Sequence, residues 1–484
     1  MTNLQNILRQ HGPLLSGDIL RIMEEAEPDA NPAALRKRLN RLASGMHRVF
    51  GFFTDNQAFY YLEEQKYTEV FFESLREAIN KAAKRIDAIL SALEFQKGYL
   101  DKDHVAAYSF SPIEKLKGHK LIGAYLEQLE QFTIIRQEDG RYLLSDKFSM
   151  TTGANFNLYK AEETARSLVL RQFMNWARTI GLISYNTGTF YSNFGKFQWC
   201  FTSPAYVNGL REYRDNQVMP FFVLADVLIG GQLQERHVRF FIEKVKILNA
   251  QKGMSRFMPF LIVDAVESAA FALLKENGII VAFVDQLFGR EYAELLRALV
   301  NTITNAGAIL KNNPDDYLQL LSKIDRLVDG KTNNLRGDLF ELSVGYYHGR
   351  SGNIDLGRRI NPNGERKEID VFANYPGEIY AAECKGYKAK LSLAAVDEWL
   401  AKVAVIRKWL DTVEPYREKP FTAELWSTGG FADDALDKLK KVSKSVKKYR
   451  VAYYDARQII QKFKDIGAGR IVESLNQYFF SEPL

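Results

Sequence analysis

Lys367-Glu368-Ile369-Asp370-Val371-Phe372-Ala373, then Asn374-Tyr375-Pro376-Gly377, then Glu378-Ile379-Tyr380-Ala381-Ala382-Glu383-Cys384-Lys385 is the stretch that decides how the last third of this 484-residue chain folds. Two runs of strand type flank an Asn/Pro/Gly turn, which predicts a β-hairpin. Side chains alternate faces along a strand, so Glu383 and Lys385 point one way and Tyr380, Ala382 and Cys384 the other. An acid and a base inside an otherwise apolar strand cost stability unless they have partners. Asp370, carried across the turn on the pairing strand, is the expected partner. Two carboxylates brought together need a cation or a proton between them. Hard oxygen ligands of this kind suit Mg²⁺, which keeps several waters. A lysine on the same face can orient a water or offset charge developing on phosphorus. These are the parts that hydrolysis of a phosphodiester needs.

Upstream, Asn333 to Leu342 predicts a helix start with Leu339 and Leu342 on its apolar side, from which Glu341 could reach the metal. Downstream, Ala423 to Phe431, a helix, and Val451 to Asp455 predict a strand–helix–strand closing the same sheet. The stretch from Leu335 to Lys385 resembles the PD-(D/E)XK superfamily of restriction-endonuclease-like nucleases, and its Mrr-type branch in the helix Glu, in Glu368-Ile369-Asp370-Val371 and in Glu383-Cys384-Lys385. The resemblance covers about a third of the chain. It implies that Asp370 and Glu383 bind metal, with Glu341 and the Cys384 backbone carbonyl as further ligands. It also implies that Lys385 assists the attacking water and that Mg²⁺ is the cofactor, with Mn²⁺ as substitute. Ile369 stands where the superfamily often has proline, and no glutamine lies between Lys385 and Trp409, where Mrr-type enzymes usually carry one.

The middle of the chain echoes this pattern. Phe222 to Leu228 lines up with Ile379 to Lys385, each followed by a helix (His237 to Leu248; Ala395 to Leu410), and Val281 to Asp285 matches Val451 to Asp455. Leu228 then stands at the position of Lys385 and could neither orient water nor offset charge. Two readings stay open: a degenerate second copy that binds substrate or packs, and an unrelated α/β domain with generic buried strands. Different strand orders in the two regions would exclude the first.

At the N-terminus, Leu4, Ile7 and Leu8, then Ile19, Ile22 and Met23, then Leu35, Leu39 and Leu42 mark three helices, the third opened by Asn31-Pro32. Phe50 to Phe53 and Ala58 to Leu62 predict a hairpin around Thr54 to Gln57. This order resembles a winged helix-turn-helix. Arg36, Lys37, Asn40 and Arg41 share the polar face of the third helix, either to enter a DNA groove or as a solvated basic surface. Residues 66–97 read as one long helix. Residues 98–150 read as a weaker second winged-helix unit, whose Glu127 and Glu130 would repel phosphate and suit a protein contact.

The expected organisation is α/β. Winged-helix modules occupy 1–65 and, after a linking helix, 66–150. A central α/β domain spans 155–315, and a nuclease domain with a mixed sheet flanked by helices spans 320–484, after a polar break at Asn312 to Asp316. The net charge of +6 permits nucleic-acid binding without requiring it. The basic run from Lys438 to Arg450 is either a phosphate contact or a solvated helix face. Two cysteines, Cys200 and Cys384, exclude a disulfide framework or a Cys-rich zinc site. The most apolar stretch, Met219 to Gly231, is too short to cross a bilayer. His348, among tyrosines, reads as structural. These readings predict a cytoplasmic, Mg²⁺-dependent DNA endonuclease with DNA as partner, acting as a homodimer or with a partner protein, and without membrane attachment. Restriction or antiviral defence is the role such architectures suggest. A DNA-binding scaffold with a silent nuclease fold, and an RNA nuclease, are the alternatives.

Overall fold

The computed structural model describes residues 3–146, 148, 155–205, 207, 212–214, 217–305, 333–362 and 367–479. The expected break at Asn312 to Asp316 lies outside the described residues. The chain divides into two compact units, Met1–Tyr159 with Val169–Leu287, and Lys160–Leu168 with Phe288–Leu484.

The first unit opens with α1 (Leu4–His11), β1 (Leu14–Leu15), α2 (Ser16–Ala26), α3 (Pro32–Asn40), β2 (Met46–Val49) and β3 (Phe59–Leu62). The predicted helical stripes bury Leu4, Ile7, Leu8, Ile19, Met23, Leu35 and Leu39. Asn31 caps α3 by accepting from the Ala33 N–H at 2.8 Å. Leu42 departs from its stripe: α3 ends at Asn40, and Leu42 is exposed. The hairpin also starts earlier than expected, with Met46 opposite Leu62 and Val49 opposite Phe59. Gly51 takes positive φ, which breaks the strand predicted from Phe50 to Phe53, while Asp55 and Asn56 take positive φ within the predicted turn. The sheet order is β1-β3-β2.

Residues 66–97 form two helices rather than one, α4 (Glu69–Ala82) and α5 (Lys84–Phe95). Thr54 donates to the Ala82 carbonyl through its N–H at 2.7 Å and its hydroxyl at 3.1 Å, taking the acceptor that a continuing helix would use. Val70, at helical spacing with the buried Leu75, Ile79 and Ile86, is exposed. Next come β4 (Tyr99–Asp101), α6 (Ile122–Gln131), β5 (Ile135–Glu138) and β6 (Arg141–Leu144), with sheet order β4-β6-β5, a second sheet of the same pattern. Thr133 takes φ +55°, and β5 begins two residues later at Ile135.

The chain continues through α7 (Phe156–Thr179), β7 (Thr189–Phe194), β8 (Phe197–Ala205), the small hairpin β9 (Glu212–Arg214) and β10 (Gln217–Met219), and β11 (Phe221–Leu233). It goes on with α8 (Glu235–Asn249), β12 (Phe257–Val266), α9 (Ser268–Glu276), β13 (Ile280–Phe283), α10 (Val284–Phe288) and α11 (Arg290–Thr304). The last third comprises α12 (Asn333–Gly349), β14 (Asn353–Ile360), β15 (Lys367–Asn374), β16 (Ile379–Lys385), α13 (Leu393–Thr412), β17 (Phe421–Ser427), α14 (Asp433–Ser445), β18 (Arg450–Tyr454), α15 (Ala456–Asp465) and α16 (Gly469–Tyr478). The Leu339 side chain lies outside the described residues; Leu342 is buried.

The two five-stranded sheets have one topology. Their orders are β7-β8-β11-β12-β13 and β14-β15-β16-β17-β18. In each, the first three strands run antiparallel to their neighbours and the last two pairings are parallel. In each, one helix (α8, α13) connects the third strand to the fourth and another (α9, α14) the fourth to the fifth. The difference in strand order that would exclude a second copy is therefore not found. One detail of the sequence match shifts: Val281 lies beside Leu261 and Tyr453 beside Leu425, so Val281 corresponds to Tyr453 and not to Val451. β14 was not legible beforehand, because Asp355, Arg358 and Arg359 interrupt its apolar pattern.

In the last third, α13 and α14 cover one face of the sheet. Val396, Trp399, Val403, Ile406 and Leu439 pack there with Ile379, Ala381, Ala423 and Leu425. Among the described residues no helix is long and apolar enough to cross a membrane.

Candidate active site

The predicted hairpin forms, with Val371 opposite Ala382 and Asn374 opposite Ile379. One step further along that register sets Asp370 across from Glu383. Asp370 Oδ2 accepts a hydrogen bond from the Cys384 N–H at 2.8 Å, which fixes the carboxylate to the neighbouring strand. Lys385 Nζ lies 2.8 Å from Glu383 Oε1. The structure adds a residue the sequence reading missed. Lys402, on α13, donates to Glu383 Oε2, and its Nζ is 3.5 Å from Asp370 Oδ1. Two carboxylates and two ammonium groups thus converge on one face.

The site sits at the edge of the core. The side chains of Asp370, Glu383 and Lys402 are 13, 11 and 16% exposed, and that of Lys385 30%, so Lys385 marks the opening to solvent. Burial disfavours the charged form of Lys385, but Glu383 and Asp370 outweigh it and hold the ammonium protonated well above the ordinary lysine range. The same balance holds Lys402 protonated, with Asp370 and Glu383 outweighing burial.

Glu341 does not join this group. Its carboxylate is 2.8 Å from Lys160 Nζ, which is 3.9 Å from Glu368. Glu341 lies near enough to act on the Cys384 thiol, whose pKa is raised first by burial and then by Asp370, Glu341 and Glu383. Among the described residues no group of three or more His, Cys, Asp and Glu side chains converges as a metal cluster. The donor set that does converge is two carboxylates. That fits Mg²⁺, which is commonly held by one or two carboxylates with water completing its shell.

The end of β16 is strapped in place. Thr428 donates to the Lys385 carbonyl from its N–H at 3.1 Å and its hydroxyl at 3.2 Å, and the hydroxyl lies 3.0 Å from the Tyr387 carbonyl. Gly429 makes this close approach feasible, since a Cβ there would lie 2.8 Å from the Tyr387 oxygen and closer still to the Ala389 carbonyl.

The opposite face carries a buried network centred on Glu424. It accepts from Trp426 Nε1 at 2.8 Å and from the Tyr454 hydroxyl at 3.2 Å, and pairs with His348 Nε2 at 2.9 Å. Burial alone would raise the Glu424 pKa, but these partners, led by His348, hold it below the usual carboxylate range. His348 is 1% exposed and its Nδ1 meets the Tyr375 hydroxyl at 3.2 Å. It is a packing residue, remote from the carboxylate face.

The central sheet offers a position-by-position comparison. Ala225 pairs with Phe201 as Ala382 pairs with Val371. Aligning the two alanines puts Asp226 with Glu383, Leu228 with Lys385 and Cys200 with Asp370. Lys244 follows Asp226 by 18 residues and Lys402 follows Glu383 by 19, each on the next helix. Lys244 Nζ is 2.7 Å from Asp226 Oδ2, so the helix lysine and strand acid persist while the other two positions are apolar or thiol. Here the pair is wholly buried. Lys244 also donates to the carbonyls of Ala107 at 2.7 Å and Gln198 at 3.0 Å. The backbone at Ala107 thus ties the Lys244 ammonium, whereas the Lys402 ammonium meets carboxylates among the described residues.

On α3, Arg36, Lys37 and Asn40 are exposed, and Arg41 follows the helix as an exposed, extended residue. Asn40 Oδ1 accepts from Arg48 at 3.3 Å. On and after α14, Lys441, Lys444, Lys447 and Lys448 are exposed, while Lys438 pairs with Asp397 at 3.0 Å and Lys440 with Asp437 at 3.3 Å.

No protein-family model matches the chain, and no curated protein does. Among solved structures it is similar to the MspJI restriction endonuclease in complex with a 27-mer oligonucleotide, with a TM-score of 0.18 and 10% identity over 35% of this chain and 39% of that one. A likeness so slight carries no argument, and the chemistry has to be read from the site.

Proposed function

We propose that the last third of the chain is a metal-dependent nuclease of the PD-(D/E)XK type that hydrolyses phosphodiester bonds in DNA. The observation that carries this reading is the convergence of Asp370, Glu383 and Lys385 on one solvent-reaching face of adjacent strands. Asp370 and Glu383 would hold Mg²⁺, or Mn²⁺ in its place, and the ion would supply Lewis-acid stabilisation of phosphate charge. Asp370 is pre-aimed by the Cys384 N–H. Lys385, protonated and nearest solvent, would orient the attacking water or offset charge on the phosphate. Glu341, held by Lys160, would act on the site electrostatically rather than as a ligand. The N-terminal helix-and-hairpin units would be winged helices, with Arg36, Lys37, Asn40 and Arg41 presented to DNA. The central domain would be a degenerate copy of the nuclease fold.

The test is incubation of wild type and Lys385→Ala with supercoiled plasmid, linear duplex, single-stranded DNA and RNA, in Mg²⁺ or EDTA. Cleavage of DNA by wild type alone, and only with metal, is the expected result. Cleavage of RNA alone would reassign the substrate. Metal-independent cleavage, or equal cleavage by the variant, would overturn the reading.

A further inference from the structure

We propose that Lys402 is the resident counter-cation of the Asp370–Glu383 pair, and that a divalent ion binds between these carboxylates only by displacing its ammonium. The inference rests on the nuclease reading above and names a residue that controls metal entry.

Three observations lead to it. The Lys402 ammonium reaches both carboxylates at once, hydrogen-bonded to Glu383 and 3.5 Å from Asp370 Oδ1. It therefore sits where a cation bridging the two acids has to be. Its hydrogen-bond and ion-pair partners are those carboxylates, and the side chain reaches the edge of the site. Nothing else among the described residues anchors the ammonium, so it can swing away. Lys244 supplies the contrast. It makes the same helix-to-strand pairing but is tied to two backbone carbonyls as well, and is fully buried. The repeated fold thus keeps one lysine as a fixed strut and the other as a removable one. Glu383 stays compensated when Lys402 leaves, because Lys385 holds its other oxygen at 2.8 Å.

A lysine that occupies the site most of the time lowers apparent metal affinity by the fraction of time the site is free. Titration of the full chain with Mn²⁺ alone, by calorimetry, compares wild type, Lys402→Gln, Lys402→Arg and Asp370→Asn. Lys402→Gln is expected to bind Mn²⁺ about tenfold more tightly than wild type, Lys402→Arg to stay near wild type, and Asp370→Asn to lose binding. Equal or weaker binding by Lys402→Gln overturns the role of Lys402, while the loss in Asp370→Asn keeps the metal-site reading standing. Failure of wild type and Lys402→Gln alike to bind Mn²⁺ overturns both. A second measurement needs no variant: labelling of wild-type lysines by an amine-directed ester, read by peptide mass spectrometry. Mn²⁺ is expected to raise labelling of Lys402 several-fold and leave Lys244 protected. Unchanged labelling of Lys402 at saturating Mn²⁺ overturns the proposal.

Discussion

The two five-stranded sheets share strand order, strand directions and crossover helices, yet they treat the same buried acid–lysine pair in opposite ways. In the last third, Glu383 and Lys402 sit beside Asp370 and Lys385 at an edge that solvent reaches. In the middle, Asp226 and Lys244 are wholly buried and Lys244 is also bonded to the Ala107 carbonyl, with Cys200 and Leu228 at the two remaining positions. Burial raises the Cys200 thiol's pKa, and it also lowers that of Lys244 despite the Asp226 partner, whereas Lys402 is raised by two acids. The difference teaches that a fold can keep the scaffold of a charged site while exchanging its exposure, and that exposure decides whether the charges can act on a ligand.

The largest effect expected from this contrast is on turnover. Removing Asp370 or Lys385 as Asp370→Asn or Lys385→Ala should lower DNA cleavage by about 10²–10³-fold, the scale seen when one preorganised charge-stabilising group is lost. Cys200→Ala, at the position equivalent to Asp370, should leave the rate unchanged. A comparable loss in Cys200→Ala would end the idea that the central copy is silent.

Stability should show the reverse ranking. Lys244→Met leaves a buried carboxylate without its cation, which costs about 3–5 kcal/mol. The double change Asp226→Leu with Lys244→Met should recover most of that loss. Lys402→Met, at an edge where Lys385 still pairs with Glu383, should cost less. Denaturant melts of the four proteins give the comparison, and equal losses for the two lysines would remove the distinction between strut and removable cation.

A smaller effect concerns the strap behind Lys385. Gly429→Ala must push apart backbone carbonyls and should cost about 1–3 kcal/mol. Gly377→Ala, in the hairpin turn where an added Cβ meets nothing within 4 Å, should stay within about 0.5 kcal/mol of wild type. Thermal melts that fail to separate them would show that the loop after β16 can relax.

The smallest effect is in the alkaline range, and its sign differs between the lysines. The folded pKa of Lys402 lies above the unfolded one, so its contribution is complete below the ordinary lysine range and is lost as pH rises through the folded value. The folded pKa of Lys244 lies below the unfolded one, so stability rises with pH between the two. The melting-temperature difference between wild type and Lys402→Met should therefore shrink with rising pH, while that between wild type and Lys244→Met should widen. Parallel slopes would contradict the assigned directions.

Much of this was legible in the sequence because local pattern and tertiary burial agree there. The hairpin from Lys367 to Lys385 has alternating faces, a turn of Asn, Pro and Gly, and charged residues at positions that only a partner could justify. The echo between the central and final regions was legible from apolar runs, and the two sheets share one strand order. Lys402 was missed because α13 reads as an ordinary buried helix, although a lysine three residues after Trp399 and four before Ile406 stands within the apolar stripe. Glu424 was missed for a similar reason: one acid inside Ala423-Glu424-Leu425-Trp426 has no local signal of the His348, Trp426 and Tyr454 that satisfy it. The break at Ala83 was not legible because its cause, Thr54, is distant in sequence. Glu341 was drawn toward the metal by a motif, and Lys160, far from it in the chain, supplies the partner seen.

The bond from Lys244 to the Ala107 carbonyl also bears on how the molecule comes apart. Opening the turn at Val105–Tyr108 takes away one of the three partners of a buried ammonium, so the turn is held to the interior more firmly than a surface turn. The turn and strands β8 and β11 should exchange their amide hydrogens as one cooperative block, at the free energy of the sheet rather than of a loop.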